Sequence, residues 1–372
     1  MSVAVKSFFH PDTGTASYMV VDSSGKYAVI IDSMLDLDLA SGEISASVAD
    51  KQLNYAKEHQ LKIVWILETH AHADHLTSAA YLQQKTQAKI AVGQGITEVQ
   101  QHFKQWFTQP LSMAEKPSGF DRLLTEQDCL SFGESHIKIC ATPGHTDDSI
   151  SYLIEDNVFV GDTLFMPDGG TARCDFPGGS AEKLWSSIEK IYQLPADTKI
   201  WVCHDYQPNG REVSVQTTVA DSKANNIHIN ERTRKQDYVL MRNTRDKSLA
   251  VPRLLYPALQ VNLNAGKLPQ PAENGVQYLT IPLKEQAADL LKAMANKHRL
   301  LILCTLNNTE LSVSQLNQQV NIPQSTLSQH LSVLRRDRLV KTRREAQTIY
   351  YSLNSKEVIA VISTLYQLYC ID

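Results

Sequence analysis

The sequence predicts a layered α/β domain joined to a mainly α-helical one. Three observations carry this. Val- and Ile-rich strand runs alternate with helical runs over residues 17–202, helical periodicity takes over after residue 282, and NAGKLPQPAEN (264–274) separates the two textures. The expected domains are 1–282 and 283–372.

Residues 17–32 read as a β-hairpin around SSGK, residues 46–60 as a helix, and KIVWILET (62–69) as a buried strand with polar residues at its end. Residues 76–85 have helical spacing. Strand runs follow at 90–92, 136–141, 151–153, 157–160 and 199–202, with a helix at 181–191 before the last. Residues 207–274 are polar and without clear periodicity. Beyond them, AADLLKAMANKHRLLILCTL reads as two consecutive helices. LSVSQLNQQVNIPQSTLSQHLSVLRRDRLV reads as a helix over about 313–319, a turn at Asn321-Ile322-Pro323, and a second helix opening at Gln324. LVKTRREAQTIYYSL alternates as a basic hairpin.

Of 372 residues, 42% are hydrophobic and 20% charged, which excludes a disordered chain and suggests two to three domains. No apolar run reaches the roughly 18 residues of a membrane span. MSVAVKSFFHPDTG has no signal-peptide core. The expectation is a cytoplasmic protein with no membrane partner. Six cysteines, at 129, 140, 174, 203, 304 and 370, form no close pairs and read as thiols. Residues 283–372 hold eleven Lys and Arg against seven Asp and Glu, whereas residues 1–282 hold 25 against 33. An acidic body with a basic end suggests different partners for the two parts, nucleic acid for the second.

The densest chemistry is Thr69-His70-Ala71-His72-Ala73-Asp74-His75, directly after a strand run. His145 lies in ATPGHT, Asp162 follows NVFVG, and His204 follows IWVC. Each ends an apolar strand at the expected ligand edge of a sheet. Imidazole and carboxylate suit zinc or iron, and no cysteine is expected among these positions to favour a closed structural zinc site.

The HxHxDH pattern resembles the metallo-β-lactamase superfamily over roughly residues 1–282, which implies an αββα sandwich. In two-metal hydrolases of that fold, His70, His72 and His145 would hold one metal and Asp74, His75 and His204 the other, with Asp162 bridging. THAHADH, TPGHTDDSISY, GDTLF, ARCDFPGG and CHDY together resemble the persulfide dioxygenases, specifically the beta-lactamase-like hydrolases of sulfide-detoxification operons. That resemblance implies one Fe(II) per chain on His70, His145 and Asp162, a facial triad with positions left for dioxygen and a substrate sulfur. His72, Asp74, His75 and His204 then orient ligands and water. It also implies that Arg173 pairs with a carboxylate of glutathione persulfide and that Tyr206 lies near the iron. Two extra residues separate Asp162 from Arg173 compared with the animal-type enzymes. Cys174 reads as a packing cysteine rather than a sulfur relay. The alternative is a dinuclear zinc thioesterase of the glyoxalase II type. A third reading is a regulator whose first domain only binds ligand.

Residues 283–372 resemble the ArsR family of winged-helix repressors, carried by S-x-x-S-Q-H-L-x-x-L-R. The resemblance implies a homodimer on a double-stranded DNA operator. Ser325, Thr326, Ser328 and Gln329 stand on the first turns of the recognition helix, and Arg335, Lys341, Arg343 and Arg344 suit phosphates. Arg338 and Ala346 stand where the family usually has glycine. Cys304 and Cys370, in LLILCTL and LYQLYC, match the two thiols of sulfide- and persulfide-responsive members of the BigR type.

Overall fold

The computed structural model describes residues 2–107, 119–282, 285–307 and 309–369. Cys370, and Leu283 with which the second domain is expected to begin, lie outside them. The chain divides into two compact units, Met1–Ile281 and Pro282–Asp372. Among the described residues, no helix is long and apolar enough to cross a membrane.

In the first unit, strands Ala4–His10, Thr15–Val21, Tyr27–Ile31, Lys62–Leu67, Lys89–Gly93 and Arg122–Leu124 form one six-stranded sheet in that spatial order. A second sheet orders Cys129–Phe132, Ser135–Ala141, Ile150–Ile154, Asn157–Phe159, Lys199–Trp201 and Gln216–Thr218. The expected hairpin is there. Its turn closes because the Asp22 carboxylate accepts N–H bonds from Ser24, Lys26 and Tyr27 while Gly25 takes φ +71°.

Alternation along Thr15–Val21 shows how the layers form. Ala16, Tyr18 and Val20 pack between the sheets with Leu130, Phe132 and Tyr152, whereas Met19 and Val21 join the opposite core with Ala49, Leu82 and Val99 of the covering helices. Helices Ala181–Ile191 and Lys235–Asp246 belong to a third core, on the outer face of the second sheet, with Val158 and Ile200. The unit is an αββα sandwich.

Two stretches differ from the sequence expectation. Leu76–Thr77 pairs as a strand with Met34 and Leu35, and the helix runs Ala79–Thr86. Thr77 is held there by Glu68, across the loop, and by Asn262, remote in sequence. The polar stretch 207–274 contains three helices, Val219–Asn225, Lys235–Asp246 and Leu255–Asn262. Its polarity conceals a buried pair. Arg242 is 1% exposed and held by Asp246 and the Thr171 carbonyl.

The second unit has helices Glu285–Met294, Lys297–Thr305, Val313–Val320, Gln324–Arg336 and Lys356–Tyr369, with a sheet of Leu311–Ser312, Thr348–Leu353 and Val340–Glu345. Ser312 and Gln315 form a capping box that starts the helix Val313–Val320, and Asn321 ends it at φ +50°. Ile302, Leu316, Leu327, Leu331, Leu334 and Val358 fill the core. Arg338 and Ala346 do adopt left-handed backbone, at φ +57° and +51°. Each costs about 1 kcal/mol relative to glycine.

Candidate metal centre and nucleic-acid surface

Ser135–Ala141, Asn157–Phe159 and Lys199–Trp201 run in the same direction, so their carboxyl ends share one edge of the second sheet. His145, Asp162 and His204 follow those ends. The loop 68–75 leaves the first sheet at the end of Lys62–Leu67. Its backbone is gripped by Asn262, which donates to the His72 and His75 carbonyls at 2.7 and 2.8 Å and accepts from Thr77 N–H. Ala71 N–H donates to Asp148 at 2.7 Å.

The ligand atoms of His70, His145 and Asp162 converge, each within 4.8 Å of the others. One oxygen of Asp162 lies 3.9 Å from His70 Nε2 and 3.6 Å from His145 Nε2. The other ring nitrogens are occupied. His145 Nδ1 donates to the Arg173 carbonyl at 2.7 Å, and His70 Nδ1 lies 2.9 Å from Thr69 Oγ1, which itself donates to Asp32. Both Nε2 lone pairs are thereby turned toward Asp162.

The second oxygen of Asp162 lies 3.4 Å from His204 Nε2, and Asp74 is 3.3 Å from the same nitrogen. His72, Asp74 and His75 form a second convergent group. His70 Nε2, His72 Nδ1, His75 Nε2, His204 Nε2 and Asp162 Oδ1 are buried without a hydrogen-bond partner. Five such nitrogen and oxygen atoms facing one region fit a cation, which would satisfy them together.

Burial, with His72 and His145 nearby, holds His70 well below the usual imidazole range. Burial acts the same way on His72, yet Asp32 and Glu68 outweigh it and hold that ring well above 6.5. Asp74 is half-buried, and His204 and His75 outweigh its desolvation and hold it well below the usual carboxylate range.

Cys203 overturns one expectation. Its thiol lies within 4.8 Å of the ligand atoms of Asp162 and His204. The strand ends at Trp201, so strict alternation no longer turns residues 203 and 204 to opposite sides.

Arg173 lies beside the centre through its carbonyl. Its guanidinium is bidentate to Asp175, donates to the Ala250 carbonyl, and sits 5.2 Å from the Phe176 ring centroid. Phe176 meets His145 edge to face. Tyr206 is 64% exposed, and its ring stacks on His204 at 5.5 Å, with Phe165 meeting both. Cys174 is a core residue whose thiol burial and Asp246 push up to about 12, which suits packing and not sulfur transfer.

Sequence reading missed Asp32, Glu68, Asn262, Phe165 and the Arg211 fork that holds Asp168 and Asp205. Asp32 had a signal, because it ends the strand run YAVII as the ligands end theirs. Asn262 had none.

In the second unit, Ser325, Ser328, Gln329, Arg335, Lys341, Arg343 and Arg344 are exposed and Thr326 is half-buried. The first four named and Thr326 stand on the helix Gln324–Arg336, the last three on the strand Val340–Glu345. Arg343 is committed to Glu310 and Glu345 and lies over Tyr350, and Arg344 Nε donates to the Ala346 carbonyl. Cys304 is exposed on the helix Lys297–Thr305.

Residues 10–204 match the family model described as Metallo-beta-lactamase superfamily, and residues 296–342 match that of bacterial regulatory proteins of the arsR family. The chain is 44% identical to a probable metallo-hydrolase of Burkholderia pseudomallei over 76% of this chain and 99% of that protein. It is 58% identical to the transcriptional activator HlyU of Vibrio cholerae over 23% of this chain and 79% of that protein. It is 28% identical to the mitochondrial persulfide dioxygenase ETHE1 of Bos taurus over 55% of this chain and 69% of that protein.

Proposed function

The chain belongs to the metallo-beta-lactamase superfamily and carries an ArsR-family domain at its C-terminal end, and from that premise we propose that it is an iron-dependent persulfide dioxygenase fused to a sulfur-responsive transcription regulator. The observation that carries the first half is the convergence of His70, His145 and Asp162 with both ring Nδ1 atoms already occupied. Two imidazoles and one carboxylate suit Fe(II), which when bound supplies open positions for dioxygen and a persulfide sulfur. His145 and His70 keep their tautomers through Arg173 O and Thr69. Phe176 on one side, and Phe165 with Tyr206 on the other, form apolar walls against His145 and His204. Arg173 uses three of its five N–H donors within the protein, so two remain for a carboxylate of glutathione.

One observation favours a second reading. Asp162 turns one oxygen to each histidine group, as a carboxylate bridging two zinc ions would, and the Burkholderia relative is named a metallo-hydrolase. Metal analysis with oxygen uptake on glutathione persulfide decides. One iron per chain with uptake supports the dioxygenase; two zinc ions, no uptake and hydrolysis of a glutathione thioester replace it.

For the second half, the exposed polar face of Gln324–Arg336 and the basic strand Val340–Glu345 suit a palindromic operator read by a homodimer in the cytoplasm. The HlyU relative is named an activator, so binding is assayed apart from the sign of regulation. Cys304 with Cys370 is the proposed sensor. Glutathione persulfide is expected to release DNA in a gel shift and dithiothreitol to restore binding. Release from the Cys304→Ser protein would place sensing elsewhere.

A further inference from the structure

The helix Lys235–Asp246 buries one stripe and leaves the next one open. Tyr238, Arg242 and Asp246 are buried. Asp237, Leu240, Met241, Thr244 and Arg245, at i, i+3, i+4, i+7 and i+8, line a shallow groove of about 550 Å³ together with His228. Leu240 is 69% exposed, and Ile227, beside His228 in sequence, is 60% exposed. The groove adjoins a segment that serves the metal centre. Thr171 N–H donates to His228 Nδ1 at 2.9 Å, and two residues on, the Arg173 carbonyl holds His145.

The charges around the groove leave one positive charge over. Arg242 is buried and paired with Asp246, and Asp237 is held by both Nε and Nη2 of Arg234. Arg245 is exposed, and its guanidinium has no hydrogen-bond or carboxylate partner among the described residues. His228 adds a donor. A backbone N–H can only donate, so Nδ1 is the acceptor of the Thr171 bond and the neutral ring carries its hydrogen on Nε2. Burial, with Arg242 and Arg245 nearby, lowers the ring to about 4 and keeps it neutral at pH 7. Nε2–H has no acceptor among the described residues.

We propose that this groove binds a small carboxylate carrying an apolar group, with its oxygens on His228 Nε2–H and the Arg245 guanidinium and its apolar group on Leu240 and Met241. The positive surroundings that keep a proton off His228 favour an anion beside it. One unpaired guanidinium suits a monoanion, which it can bind through two parallel N–H bonds. A phosphate dianion would bring a second charge with no cation to meet it, and Asp237 stands in the wall. Met241 is flexible and polarisable and shapes itself to a flat or a branched group. The site is separate from the metal ligands, so the inference does not depend on which reaction they support.

The test is a titration of the full-length protein with phenylacetate at pH 7 and constant ionic strength. The ring C–H signals of His228 are followed by NMR and assigned by their loss in His228→Asn. They should shift along a saturable curve. Phenylacetamide keeps the shape without the charge and should bind about tenfold more weakly, as loss of a charge-assisted bond implies. Acetate, without the ring, should also bind more weakly. Arg245→Gln should weaken phenylacetate about tenfold. Leu240→Ser should weaken it by a smaller factor and leave acetate unchanged. Both side chains are exposed, and melting temperatures matching wild type show that the variants are folded. Equal affinity for phenylacetate and phenylacetamide would overturn the proposal, as would unchanged affinity in Arg245→Gln. So would a His228 shift still linear in phenylacetate at about 50 mM, where general screening is expected in place of a site.

Discussion

The metal unit hides its chemistry and the winged-helix unit displays it. His70, His72, His145 and His204 are at most 5% exposed, and each has a polar partner chosen by the fold. Ser325, Ser328, Gln329 and Lys341 point into solvent from elements joined by a few residues. Burial makes electrostatics strong and substitutions costly, because a buried charge left alone cannot be rehydrated. Exposure makes each contact weak and additive, which suits a surface that must bind and leave DNA.

The largest effect that tests this contrast is removal of a ligand. His145→Ala and Asp162→Asn should each abolish bound metal, measured by elemental analysis, while operator affinity in a gel shift stays at the wild-type value. Loss of DNA binding in both variants would break the contrast by showing the units to be coupled.

Next comes the cost of a broken ion pair. Asp246→Ala strands the buried Arg242 guanidinium and also removes the acceptor of Cys174 N–H. It should destabilise the first unit by about 3–5 kcal/mol in urea unfolding. Glu310→Ala breaks an exposed pair with Arg343 that water screens, and should cost far less than the buried pair. Equal costs would mean that burial does not separate the two units.

Smaller still is a pH effect confined to the first unit. Burial, with Arg242 and Arg245 nearby, lowers His228 to about 4. As pH falls from about 6.5 to 4, the unfolded chain takes up a proton that the folded ring refuses, so stability declines through that window. Water screens the exposed part of the ring, and the loss should be about 1 kcal/mol. Urea midpoints at pH 7 and 4.5 should show this decline in wild type and a shallower one in His228→Asn.

The smallest change should be a gain. Ala346→Gly relieves φ +51° at the exposed wing turn and should raise the stability of the second unit by up to about 1 kcal/mol by thermal unfolding. A loss would show that backbone freedom in the unfolded chain outweighs the strain.

The local features of both units are legible in the order of the amino acids. HxHxDH after KIVWILE, His145, Asp162 and His204 at strand ends, and the helix–turn–helix around Asn321-Ile322-Pro323 could all be read because strand and helix periods and turn residues are short-range properties. The helix at Ala181–Ile191 matches its expected range. What those residues touch is set by the folded chain. Asn262 reaches the metal-binding loop from nearly 190 positions away, and Thr15 meets His204 Nδ1 from a similar distance along the chain. Arg242 lay in a stretch too polar to read as core until Asp246 and Thr171 surrounded it. It also decided that Arg173 and Arg343 arrive already paired, and that Cys203 stands beside Asp162. The physical reason is common to all of these. Spacing along a chain reports which face a side chain takes, but hydrogen-bond partners and burial depend on where remote segments stop, and that is set by packing of the whole layer.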